Sequence, residues 1–198
     1  MSSRRVVIVL AGLVLAVAVG WGVVAISDND EAGAVVQAWV SARNAGDVET
    51  VLSLTADDAT LLGHSMDISH RRDDFVELIR AQAAASFATS ETDCVVHDEL
   101  VSCRYRLSDT FLRSLDVALT GDHEYVVRDG LIISAERTHD PEARSNVVNE
   151  MRQFRSWVQE HYPELEAVIW TTRGSTAYSN VEGVQAMHSI FEEYLDSR

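Results

Sequence analysis

The chain has 198 residues, enough for one domain with a full core and a short appendage. Its 16 basic side chains are all arginines and face 31 acids, giving a formal net charge of −15. So acidic a surface repels nucleic acid and anionic headgroups, and no basic stripe offers either a footing, which argues against nucleic-acid binding.

Arg4 and Arg5 precede an uncharged apolar run over residues 6–26, and acids begin at Asp28. As a helix this run spans about 31 Å, the thickness of a bilayer core. Arginines on its N-side place the N-terminus in the cytoplasm and residues 28–198 outside the membrane. Val23-Val24-Ala25 also offers a cleavage site, so a secretory signal removed from the mature protein is the other reading. Both readings export the rest of the chain. A pair of cysteines, Cys94 and Cys103, suits an oxidising compartment.

Val36, Trp39, Val40 and Arg43 recur at helical spacing, and Asn44-Ala45-Gly46 ends that helix. Asp47 caps a second short helix with Val48, Val51 and Leu52 on its buried side, and Ala59 to Leu62 leaves it as a strand. Ser69 to Ala88 reads as a helix, with Phe75, Leu78, Ile79 and Gln82 on one face.

From Thr92 the period becomes two. Cys94 and Val96 alternate with polar neighbours, as do Val101, Cys103, Tyr105 and Leu107, and Asp98-Glu99 turns between them. A hairpin centred on that turn sets Cys94 opposite Cys103 and predicts a disulfide; two free buried thiols are the alternative. Leu115, Val117, Leu119, Gly121, His123, Tyr125 and Val127 predict the inner face of a long strand. Asp129-Gly130 turns it back into a strand over 131–137. An unbroken ladder from that turn places His123 opposite Glu136 and Asp122 opposite Arg137.

Asp140 and Pro141 open a further helix bearing Val147, Val148, Met151, Phe154 and Trp157, which Tyr162-Pro163 ends. Ser179-Asn180-Val181-Glu182 reads as a capping box for a last helix with Val184, Met187, Phe191 and Leu195 on one face. Those apolar faces must bury against the domain or in a homodimer.

The opening, helix–NAGD–helix–ADDAT–strand over residues 34–63, resembles the nuclear transport factor 2-like superfamily, which includes steroid isomerases and SnoaL-like polyketide cyclases. The resemblance implies an α+β fold, a cone-shaped, curved antiparallel sheet wrapped on N-terminal helices. The expected organisation is residues 1–27 as cytoplasmic N-terminus and transmembrane anchor or signal, 28–140 as that domain, and 141–198 as an extension of two helices packed on it.

Carried over residue by residue, the steroid isomerase oxyanion-hole tyrosine falls on Trp39 and the base on Gly63, beside His64. The second acid falls near Asp122-His123, with Asp122 on the polar face. This argues against isomerase chemistry. Two readings of the interior remain. In one, His123 is a general base oriented by Glu136, with His64, Tyr105 and Tyr125 as donors. In the other, His123–Glu136 is a cross-strand ion pair.

Trp39, His64, Tyr105, His123 and Tyr125 are the expected lining of a ligand pocket. The seven histidines show no metal-ligand spacing, and no phosphate loop or CxxC pair occurs, so neither a metal nor a cofactor is expected. The expected function is a membrane-anchored extracytoplasmic domain without catalysis. It either binds a small apolar ligand or docks an envelope protein. The alternative is an isomerase- or cyclase-like enzyme using His123 as base.

Overall fold

A computed structural model describes residues 31–63, 68–70, 72–170 and 180–198. The apolar run over 6–26 and His64 lie outside the described residues. Among the described residues no helix is long and apolar enough to cross a membrane.

Helix α1 (Glu31–Ala45) ends at Gly46, whose φ of 70° is the left-handed turn expected there. Asp47 then caps α2 (Val48–Ser53), accepting from the Thr50 amide at 3.0 Å. Strands β1 (Thr55–Gly63) and β2 (Ile68–His70) follow, then α3 (Arg72–Ala84), later and shorter than its periodicity predicts. Strand β3 (Ala88–His97) turns at Asp98-Glu99 into β4 (Leu100–Ser108). Short helix α4 (Thr110–Ser114) precedes β5 (Leu119–Arg128), which turns at Asp129-Gly130 into β6 (Leu131–His139). Leu115 and Val117, expected on the long strand, instead lie in the turn after α4, where Asp116 has φ 55°.

The six strands form one curved, unclosed sheet in the order β2-β1-β6-β5-β4-β3. The expectation of an all-antiparallel sheet fails at one pair. Strand β1 lies parallel to β6, because it leaves α2 at the end of the sheet where β6 begins: the Ile132 amide donates to the Leu54 carbonyl at 2.8 Å. Helix α1 packs on the inner face, setting Val36, Trp39 and Val40 against Leu61, Val101, Cys103, Tyr125 and Ala135.

Cys94 and Cys103 are disulfide-bonded, with their Cα atoms 4.1 Å apart, and they tie the edge strand β3 to β4. The predicted register holds from the turn to Val95↔Ser102 and then slips by one residue, to Thr92↔Arg104. The extra residue is accommodated at Asp93, whose φ of 51° marks a bulge.

The C-terminal extension has three described helices rather than two: α5 (Pro141–His161), α6 (Pro163–Ile169) and α7 (Val181–Asp196). Asn180 caps α7, accepting from the Gly183 amide at 2.6 Å, and Ser179 of the expected capping box lies outside the described residues. Asp140 makes no side-chain cap on α5, because its carboxylate takes Arg104 at 2.7 Å and Thr120 at 2.6 Å. The three helices build a second core with Ala81, Ala85 and Phe111. Phe154, Val184, Met187 and Phe191 bury within the chain, so their spacing requires no dimer; Val148 is exposed.

Candidate functional site

Directly opposed residues on neighbouring strands share a face of the sheet, so the register defines the inner surface row by row. One row runs Glu91, Tyr105, Gly121, His139 across β3 to β6. The next runs Cys103, His123, Arg137 and, on β1, Gly63. A third runs Val101, Tyr125, Ala135 and Leu61. From α1, one turn apart, Trp39 and Arg43 reach into the same space. Trp39 meets Tyr125 edge-on at 5.9 Å, and the Arg43 guanidinium lies 5.4 Å over Trp39 and 5.2 Å over Phe87.

Glu91 is the hub. Its Oε1 accepts from the Tyr125 hydroxyl at 2.6 Å and lies 2.8 Å from His123 Nδ1. The Tyr125 hydroxyl and His123 Nδ1 are themselves 2.5 Å apart. His123 is 2% exposed at its side chain and Glu91 9%. Tyr105 bonds His139 Nδ1 and carries the Arg137 guanidinium 5.4 Å above its ring. Arg43 Nε donates to Gln82 Oε1 at 3.1 Å. On this face Thr89 Oγ1, Glu91 Oε2, and Arg137 Nε with Nη2 are buried without a hydrogen-bond partner among the described residues.

The electrostatics follow from burial. Desolvation pushes the Glu91 carboxyl above its ordinary range, while Tyr125, Arg137 and Arg43 pull it back. Desolvation drives His123 well below the usual imidazole value, and Arg137 and Arg43 add to that. Tyr125 is raised well above the usual phenol value, and burial pushes Tyr105 up to about 12. Burial, with Arg137 nearby, works against the charge on Arg43, but a guanidinium keeps its proton in proteins. Among the described residues the inner face thus holds the Arg43 and Arg137 cations, the Glu91 carboxyl, a neutral His123 imidazole and the His139 ring.

Of the expected lining, Trp39, Tyr105, His123 and Tyr125 meet here. Trp39 is not free to stabilise an oxyanion, since its Nε1 donates to Thr55 Oγ1 at 3.0 Å. Glu136 is not the partner of His123. The ladder from Asp129-Gly130 begins Arg128↔Leu131 and Val127↔Ile132, then slips at Ile133 to Val126↔Ser134. That bulge places Arg137 opposite His123 and turns Glu136 to the outer face, where Ser102, Arg104, Asp122, Glu124 and Thr138 line a shallow groove of about 370 Å³ with it. Asp122 faces Thr138 instead of Arg137, and Arg104 pairs with it at 3.0 Å.

Glu91, Arg43, Arg137 and His139 are site residues that alternation did not select. Arg43 was visible on the apolar stripe of α1, four residues from Trp39; the others are hidden by the two bulges. Among the described residues no group of three His, Cys, Asp or Glu side chains could hold a metal.

The acid-base balance carries a stability signature. Folded His123 resists protonation, so the stability its neutral form contributes is present above the unfolded pKa of about 6.5. It is lost as pH falls below that value, by up to about 1.4 kcal/mol per pH unit. Glu91 has the opposite sign. Its contribution is fully present below the ordinary carboxylate pKa and is lost as pH rises through its raised value. Urea unfolding at pH 7, 6 and 5 should therefore show a shallower fall for His123→Gln than for the wild type. Equal slopes would mean that His123 titrates normally when folded.

The fold is an α+β domain with helices against one face of a curved, unclosed sheet and polar groups converging beneath the first helix. The chain belongs to the SnoaL-like domain family, which matches residues 36–135. Among solved structures it is similar to a candidate SnoaL-like polyketide cyclase from Shewanella putrefaciens, at 10% identity and a TM-score of 0.50, over 62% of this chain and 88% of that one. It is also similar to wild-type IdmH, a candidate polyketide cyclase from Streptomyces antibioticus, at 21% identity and 0.49, over 60% and 99%. A candidate ketosteroid isomerase from Kribbella flavida gives 16% and 0.49, over 59% and 82%. No curated protein matches the chain in sequence. At these identities the likeness is one of fold.

Proposed function

We propose that this chain is an exported, membrane-anchored SnoaL-like domain that holds a small molecule against the inner face of its sheet. The observation that carries this reading is a pair of orphaned groups on that face, Glu91 Oε2 and the Arg137 guanidinium. Buried polar atoms in folded proteins are almost always paired, and a polar ligand end reaching Glu91 and Arg137 would satisfy both. The arginine pair and apolar run at the N-terminus support the anchor, and the disulfide supports an oxidising compartment. The ligand needs a polar end for Glu91 and Arg137, with its apolar remainder against Trp39 and Leu61. A purely apolar ligand would leave both groups unsatisfied.

Native mass spectrometry of the full chain, released from detergent micelles after purification from its own membranes, tests this. A small-molecule adduct that disappears on denaturation is the expected result. An adduct-free protein that no fragment of a soluble library stabilises would refute it.

One observation favours a second reading, proton transfer with Glu91 as base. Burial raises its carboxyl above the ordinary carboxylate range, which makes it a stronger base than a solvated one, and Tyr125 orients it by donating at 2.6 Å. His123 cannot take that role at neutral pH, because its basicity is suppressed. A chain that releases its adduct unchanged is a binding domain. One that returns an isomer, and loses only that conversion in Glu91→Gln, is an enzyme.

A further inference from the structure

We propose that the polar end of the ligand is a carboxylate, received by the Nε–Nη2 edge of Arg137; this rests on reading the inner face as a ligand site.

The free atoms of Arg137 are Nε and Nη2, both buried and both without an acceptor among the described residues. A guanidinium presents its N–H groups as planar forks, and the fork made by Nε and one terminal nitrogen matches the two oxygens of a carboxylate. Among the described residues no neighbour supplies an acceptor to that edge. The Arg137 guanidinium carbon lies 5.4 Å from the centre of the Tyr105 ring, which offers a π face and no acceptor to Nε or Nη2. The opposing His123 directs Nδ1 at Glu91. On the β1 side of the same row stands Gly63, which has no side chain to offer as acceptor.

Charge points the same way. Arg43 is buried and Arg137 half-buried, and both lie close enough to Glu91 to hold its carboxyl down. An isolated buried charge is costly unless paired, and a bound anion removes that cost. The exterior, at a net −15, repels anions without distinction, so retention of one must come from this local geometry. Glu91 Oε2 in turn suits a hydroxyl or N–H on the same ligand, the pattern of a hydroxy acid or an acyl amino acid.

Formate is small enough to enter without knowledge of the rest of the ligand. The full chain in detergent should be titrated with formate, formamide and inorganic phosphate, at ionic strength fixed with chloride. Thermal midpoint and the Arg137 Nε–H resonance are the two readouts. Formate should bind at least fivefold more tightly than either competitor and shift the Nε–H resonance. Arg137→Lys, which keeps the charge and loses the fork, should bring formate down to the level of chloride; Arg137→Met should do the same.

Equal formate binding in wild type and Arg137→Lys would overturn the fork. Tighter phosphate than formate would overturn the carboxylate. So would no response to formate at all. Formamide binding as well as formate would sink this inference while leaving a small-molecule site standing. The adduct measurement fails or succeeds separately from all of these.

Discussion

Truncation after Asp140 should yield a protein that aggregates or fails to accumulate. Removing α5, α6 and α7 uncovers Ala81, Ala85 and Phe111, each at 0% exposure in the intact chain. Burying a phenylalanine side chain fully is worth about 1.5–3 kcal/mol, and this one lies in a cluster with Phe191, 4.9 Å away ring to ring. The whole second core vanishes with the truncation, against a typical net stability of about 5–15 kcal/mol. A graded version isolates the packing from the loss of chain. Phe154 is fully buried, with ring centroids 5.0 Å from Tyr194, 5.3 Å from Phe191 and 5.6 Å from Trp170. Phe154→Ala should cost about 3–5 kcal/mol in urea unfolding. A soluble, cooperatively folding 1–140 fragment would show that the SnoaL-like part stands alone.

Helical spacing made that second layer legible, because Phe154, Val184, Met187 and Phe191 repeat with the period of a helix face whatever they pack against. Short elements were less legible. Helix α6 spans seven residues, too few for periodicity to register, and in the stretch containing α4 the residues Leu115 and Val117 mimic strand alternation. The sheet face was legible wherever alternation ran unbroken. Val101, Cys103, Tyr105 and Leu107 on β4, and Gly121, His123, Tyr125 and Val127 on β5, all point inward as expected.

The site itself was hidden by two single-residue bulges. On β3, Cys94 and Val96 face in, and unbroken alternation would send Glu91 outward. The bulge at Asp93 reverses the parity, so Thr89 and Glu91 face in instead. On β6, Ile132 faces in and strict alternation would bring Glu136 with it. The bulge at Ile133 substitutes Ala135, Arg137 and His139. A strand has period two, so each inserted residue exchanges every side chain beyond it between the faces. One insertion supplied the carboxyl and the other supplied the cation. Neither carries a glycine or proline that would announce it. The cysteine pair survived because it lies beside the first bulge, close enough to the turn for the predicted register to bring Cys94 and Cys103 together.

Gly121→Ala should be among the most damaging single-methyl changes in the sheet. A Cβ at Gly121 would sit 1.9 Å from the Thr138 carbonyl oxygen and 2.9 Å from His139 Cα, so backbone, not a pliable side chain, stands in its way. Strands β5 and β6 approach this closely where the Asp140 amide reaches the Thr120 carbonyl at 2.8 Å, and the Tyr105–His139 bond passes over the glycine between them. Relief requires β6 to move outward, and Arg137, two residues from His139, must move with it. A loss of about 3 kcal/mol or more is expected, at the upper end for overpacking. Gly130 is the matched control. It has open space around its Cβ position but a φ of 74°, so Gly130→Ala meets only left-handed strain of about 1–2 kcal/mol. Because the collision lies beside the site, Gly121→Ala should also weaken formate binding, whereas Gly130→Ala should leave it unchanged. If Gly121→Ala unfolds no earlier in urea than Gly130→Ala, the close approach of β5 and β6 is not what sets the position of Arg137.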